Sequence, residues 1–248
     1  MTPLARARSA FERGDHESVI SLTDALLADR PGDDAAHELR ARSLLALGRV
    51  EEAERHVQDA VRLDPDEVRY RELLADVLAR EGAHRDAATE FGRLARDDPR
   101  QTDWVLSEAR ERLGADQPEM SVDAARRAVR LDPSDGGAQL ALTRALARTG
   151  DVPAALNAAE QAVELLAGDP AAREALADAR WLADQDAAAF AEYRALADEL
   201  DQPGRRRVVD KARTLYRQNA RGLGRVAADI GPLFEIAFRN GWLRVAGQ

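Results

Sequence analysis

No cysteine occurs in the chain, so disulfides and thiolate metal sites are excluded. Aromatic residues make up only 4% of the sequence. Val, Ile and Thr nowhere form the long alternating runs of strands, so a sheet-based fold is not expected. No apolar stretch approaches the roughly 18 residues of a membrane span. The first residues, Met-Thr-Pro-Leu-Ala-Arg-Ala-Arg, lack the apolar core of a secretion signal. A soluble, cytoplasmic protein is expected. Catalytic signatures are missing too: there is no His-Glu-x-x-His pattern and no Gly-Lys-Ser/Thr phosphate loop. Gly222-Leu-Gly224 is too short for a dinucleotide fingerprint. Of the four histidines, His16, His37, His56 and His84, the first and last share a place in a repeat two periods apart, which argues against a shared metal. The expectation is no enzyme, no cofactor and no metal.

What the chain does have is a period. Pro31, Pro65, Pro99 and Pro133 each follow the last by 34 residues, and Gly14, Gly48, Gly82 and Gly150 keep the same interval, with Asp116 where one more glycine would fall. A fixed period of 34 residues marks stacked helical hairpins. With glycine at position 15 and proline at position 32, the repeats run 1–33, 34–67, 68–101, 102–135 and 136–169. Position 8 is Ala7, Ala41, Ala75, Ala109 and Thr143; position 20 is Ala53, Ala87 and Ala155, with Val19 and Ser121; position 27 is Ala60, Ala128 and Ala162, with Leu26 and Leu94. Small residues at these crossings allow close approach of helix axes. Repeat 102–135 departs most, and Gly114 and Pro118 are expected to shift its turn. After Leu165 the pattern reads as slipping: a restart at Ala172 gives a degenerate sixth hairpin, 172–205, with Ala179, Ala191 and Pro203 at the marked positions.

Small residues at 8, 20 and 27, glycine near 15 and proline at 32 together resemble the tetratricopeptide repeat family, over about four-fifths of the chain. The aromatic that the family favours at position 4 is replaced by Pro3, His37, Arg71, Val105 and Gln139. The resemblance implies an all-α fold, a right-handed α-α superhelix (solenoid) of stacked helical hairpins over 1–203, with 204–248 as a basic helix and aromatic C-terminal cap. It also implies a protein-interaction adaptor or scaffold rather than an enzyme.

The resemblance places positions 2, 5, 9, 12 and 13 on the inner, concave surface. Position 9 reads Arg8, Arg42, Asp76, Arg110, Arg144 and, after the slip, Arg180; position 5 includes Leu106 and Leu140. Arginine pairs bidentately with carboxylates, so an Arg-lined groove for an acidic or C-terminal peptide segment of another protein is expected, with Leu106 and Leu140 as apolar contacts. The competing reading is a solvated ladder: arginine is simply the commonest exposed residue here, and it can also pair with an acid on the next helix such as Glu38 or Glu72. The terminal-carboxylate clamp of some co-chaperone members, Lys at 5 and Asn at 9, is not supported.

The net charge is −9, unevenly spread: between Arg205 and Arg225 eight cations face Asp210 alone, a segment of +7 that leaves −16 for the rest. The basic helix, expected over 204–220, reads as a cap with a solvated basic face. Alternatives are a nucleic-acid or anionic-surface binder through 204–225, or docking on an acidic partner. Nucleic acid is not the expected partner. Phe234, Phe238, Trp242 and Leu243 either pack under the last hairpin or anchor a partner, and a homo-oligomer, in which this tail caps a second copy, is compatible with the sequence.

Overall fold

The computed structural model describes residues 2–219, with side chains to residue 214. Every regular element among them is an α-helix. Contacts divide the chain into two compact units, Met1–Leu131 and Asp132–Gln248. The first holds α1 (Pro3–Glu12), α2 (His16–Asp29), α3 (Asp34–Ala46), α4 (Val50–Leu63), α5 (Val68–Glu81), α6 (His84–Asp97), α7 (Thr102–Gly114) and α8 (Pro118–Leu131). The second holds α9 (Gly136–Thr149), α10 (Val152–Leu165), α11 (Pro170–Leu182), α12 (Asp186–Glu199) and α13 (Gln202–Asn219). Each odd helix from α1 to α11 pairs with the even helix after it, the hairpin arrangement of an all-α repeat solenoid.

Local chemistry sets the hairpin limits. Five helices start on a capping aspartate: the Asp33 carboxylate accepts from Ala36 N–H at 3.0 Å, and Asp15, Asp135, Asp151 and Asp169 cap their helices in the same way. Gly14, Gly48, Gly82 and Gly150 turn the chain between paired helices with φ of 74° to 81°, a left-handed conformation that costs glycine little. Asp116 and Asp184 adopt the same conformation, both with φ 57°. Aspartate is among the few side chains that tolerate it.

These two aspartates correct two expectations. Asp116 lies in the glycine register, and Pro118 opens α8 34 residues after His84 opens α6. The turn of the fourth hairpin is therefore not shifted. Gly114 serves packing: a Cβ there would lie 2.8 Å from Cγ of His84. Nor does the register slip after Leu165. Asp184 falls 34 residues after Gly150, α11 starts 34 after α9, and α12 spans residues 34 beyond α10 at both ends. Pro170 opens α11, and Pro203 lies in the first turn of α13 instead of stopping the sixth hairpin. The helix-crossing residues of that hairpin are thus Ala177, Ala189 and Leu196, all without exposed surface, whereas Ala191 is exposed.

The cores follow from the same register. In the first unit, Ile20, Ala41, Leu44, Leu45, Ala53, Val57, Leu73 and Val77 join α2 to α5, and Ala75, Phe91 and Leu94 carry the packing on toward Trp104. In the second, Ala177, Ala189, Tyr193, Leu196 and Val208 form one cluster, so α13 covers the end of the last hairpin. Burying an aliphatic side chain as fully as Leu196 contributes about 1.5–3 kcal/mol. The expected aromatic tail, Phe234 to Leu243, lies outside the described residues. Among the described residues no helix is long and apolar enough to cross a membrane.

Candidate binding face

Some first helices of successive hairpins touch: α1 meets α3 and α3 meets α5 in the first unit, and α9 meets α11 in the second. Within a unit, these contacts bring equivalent positions of neighbouring first helices near one another, position 9 among them. Arg8 on α1, Arg42 on α3, Asp76 on α5 and Arg110 on α7 are exposed in the first unit, as is Arg144 on α9 in the second. Arg42 pairs with Glu38 at 3.0 Å, and Glu38, itself 7% exposed, also lies 3.8 Å from Arg69. Among the described residues, Arg8, Arg110 and Arg144 have no ion-pair or hydrogen-bond partner for their side chains.

Arg6, Arg96, Arg126 and Arg130 are exposed in the same way without such a partner among the described residues, whereas other arginines are held in pairs. Arg49 grips both carboxylate oxygens of Glu52 at 2.7 and 2.8 Å. Arg71 pairs with Asp97 at 2.8 Å. Arg127 reaches the buried Glu108 at 3.2 Å, and Arg112 approaches the same carboxylate at 3.6 Å. Gly92 makes room for that carboxylate, since a Cβ there would lie 2.8 Å from Glu108 Oε1. Arg42 is thus ion-paired, whereas Arg8, Arg110 and Arg144 are exposed without such a partner among the described residues.

Asp76 interrupts the column. Surrounding protein atoms and the nearby Glu72 raise its carboxyl above the usual carboxylate range, while Arg80 and Arg42 oppose that shift. The expected leucine contacts divide. Leu140 is half-buried, whereas Leu106 is 7% exposed and belongs to the packing of the fourth hairpin, so it offers little open surface.

Arg180 does not belong to the column. With the register unbroken, the residue 34 beyond Arg144 is Asp178, and the residue 34 beyond Leu140 is Glu174. Arg180 sits two residues off, half-buried. Asp178 accepts from the hydroxyl of the buried Tyr193 and from the Lys211 ammonium. Glu174 accepts from Arg207 at 2.7 Å and from Lys211 at 3.2 Å. Burial, reinforced by the Asp178 charge, pushes the Tyr193 phenol far above its ordinary range, so it stays a donor. The two positions of α11 that the resemblance assigns to the inner surface are therefore carboxylates that pair with α13. Val208 of α13 is fully buried in the cluster of the sixth hairpin, and two cations of α13 are engaged with α11.

A second cluster lies in the second hairpin. Tyr70 donates to Asp34 at 2.8 Å under the Arg69 guanidinium, and burial raises its phenol to about 12. Nearby in sequence, His37 Nδ1 lies 3.0 Å from His56 Nδ1 and 3.8 Å from Asp59 Oδ2. Ligand atoms of the three residues all fall within 4.8 Å of one another, close enough to hold a metal ion. Sequence reasoning missed this trio because it compared histidines between repeats. The available signal was within one repeat: positions 4, 23 and 26, where the first helix meets the second.

The comparisons with known proteins agree with this architecture. Tetratricopeptide repeat models match residues 10–77 and 106–170, together just over half of the chain. The chain belongs to the tetratricopeptide repeat family. No curated protein sequence is similar enough to count as a relative. Among solved structures, a tetratricopeptide repeat protein from Parabacteroides merdae is similar over 95% of this chain and 97% of its own, at TM-score 0.72 and 13% identity. YrrB, described as a TPR protein with an unusual peptide-binding site, is similar over 77% of this chain and 97% of its own, at TM-score 0.59 and 17% identity. MamA from Desulfovibrio magneticus is similar over 67% of this chain and 96% of its own, at TM-score 0.61 and 18% identity. At these identities the likeness speaks for the fold.

Proposed function

We propose that this protein is a non-enzymatic interaction adaptor whose first-helix faces hold an acidic peptide segment of another protein. The observation that carries the reading is the state of Arg8, Arg110 and Arg144. They are exposed, repeat-equivalent and without partners among the described residues, in a chain of net charge −9 whose other arginines include many held in ion pairs. A guanidinium left uncompensated is free to form charge-assisted, bidentate hydrogen bonds with a carboxylate. Leu140 supplies apolar surface on α9 beside Arg144. The peptide-binding site of YrrB supports a similar use of this fold, although its sequence is distant. The alternative through the basic helix loses force because Arg207 and Lys211 are committed to Glu174 and Asp178.

The test is charge reversal. The double variant Arg110→Glu, Arg144→Glu should keep the helical circular dichroism of the parent and capture its acidic partner at least tenfold more weakly, since each charge-assisted contact is worth about 1.5–3 kcal/mol. Undiminished capture by the folded double variant would remove the proposal.

A further inference from the structure

The histidine pair of the second hairpin has a valence constraint that identifies what it can bind. His37 Nε2 lies 3.0 Å from the carbonyl oxygen of Pro31. A carbonyl can only accept, so Nε2 of His37 carries the hydrogen. In the neutral ring Nδ1 is then a bare lone pair, and it points at His56 Nδ1, 3.0 Å away. A backbone carbonyl that fixes the tautomer of a buried imidazole and aims its other nitrogen is the outer-shell arrangement of metal-binding histidines.

We propose that His37 Nδ1, His56 Nδ1 and a carboxylate oxygen of Asp59 form a three-ligand site for a divalent transition metal of the zinc class, clamping α3 to α4. The geometry suits such an ion. Tetrahedral coordination with bonds of about 2.0–2.1 Å sets neighbouring donors about 3.3–3.4 Å apart. The present separations of 3.0 and 3.8 Å bracket that value. Arg62 holds Asp59 Oδ1 at 2.7 Å, which leaves Oδ2 as the oxygen facing His37. With its hydrogen on Nε2, the His56 ring presents Nδ1 as a second nitrogen donor facing His37 Nδ1. Arg40 opposes a dication here, but its guanidinium is bound to Asp24 and to the carbonyl of Ile20. Two imidazoles and one carboxylate favour zinc, cobalt or nickel over calcium or magnesium. A fourth position remains for water or a donor from a partner.

The trio is confined to one hairpin. The positions equivalent to His37, His56 and Asp59 are Val105, Ala124 and Arg127 in the fourth hairpin, and Gln139, Ala158 and Gln161 in the fifth. Neither set offers three ligands, so the repeat does not require this one.

The test uses the full, tag-free chain, stripped with a chelator and titrated with cobalt(II) and then zinc(II). One equivalent of cobalt should bind with the visible absorption of a tetrahedral or five-coordinate centre, zinc should displace it, and zinc should raise the melting temperature. His56→Gln and Asp59→Asn, both at partly exposed positions, should remain helical and weaken binding at least about tenfold. His16→Gln combined with His84→Gln should leave the affinity unchanged. Absence of saturable uptake by the parent, or uptake that survives His56→Gln with Asp59→Asn, would overturn the site.

Discussion

Arg144 on α9 and Asp178 on α11 hold the same place in their hairpins, 34 residues apart, with opposite sign and opposite fate. Arg144 is exposed and unpartnered among the described residues. Asp178 is spent on Tyr193 and Lys211. The difference teaches that one register position can serve two ends. At α9 it is open surface. At the last hairpin the same position, with Glu174 one turn before it, supplies the charges that hold the closing helix. A repeat array must cover its terminal apolar face, and here complementary charge reinforces the buried Val208.

The comparison can be broken most strongly at the cap. Val208→Asp places a carboxylate where no surface is exposed, within the cluster of Ala177, Ala189, Tyr193 and Leu196. It should cost about 3–5 kcal/mol, or detach α13 and so avoid that burial. Hydrogen exchange should show α13 losing protection while α1 to α8 keep theirs. Protection of α13 equal to the parent's would contradict its capping role.

A smaller effect should come from the position itself. Asp178→Ala leaves the Tyr193 hydroxyl without its acceptor and should lower stability by about 1–3 kcal/mol. Arg144→Ala, at the equivalent exposed place, should stay within about 0.5 kcal/mol. Denaturant melts of both variants measure the contrast, and equal losses would erase it.

The smallest effect concerns the turns. Asp184→Gly relieves a left-handed aspartate at the place where Gly150 serves the preceding hairpin. The gain in the folded state is offset in part by the looser unfolded chain, so the expected outcome is stabilisation by about 0.5 kcal/mol. A loss of stability would mean that the Asp184 side chain contributes more than its backbone costs.

Much of the architecture was legible in the sequence. Glycine and proline mark a period because they act through the backbone, where one residue suffices to set a turn. Small residues at helix crossings are readable for a similar reason: the space between two close axes admits nothing large. The reading failed where those markers changed identity. Asp116 and Asp184 perform the glycine's task without being glycine, so the fourth turn looked shifted and the sixth hairpin looked slipped. The false slip promoted Arg180 into the arginine column and hid Asp178 and Glu174, the residues at the positions of α11 that the resemblance assigns to the inner surface.

The sequence by itself determined the 34-residue hairpin, the positions of Arg8, Arg42, Arg110 and Arg144 within it, and the concentration of positive charge toward the C-terminus. Those properties depend on spacing along one chain. Only the tertiary structure decided which arginines lack a partner, that Leu106 is buried, that Lys211 and Arg207 close on α11, and that His37 meets His56 and Asp59. Each of these depends on side chains 19 or more residues apart meeting, or failing to meet, across packed helices. A period tells which residues are equivalent; packing tells which of them are already taken.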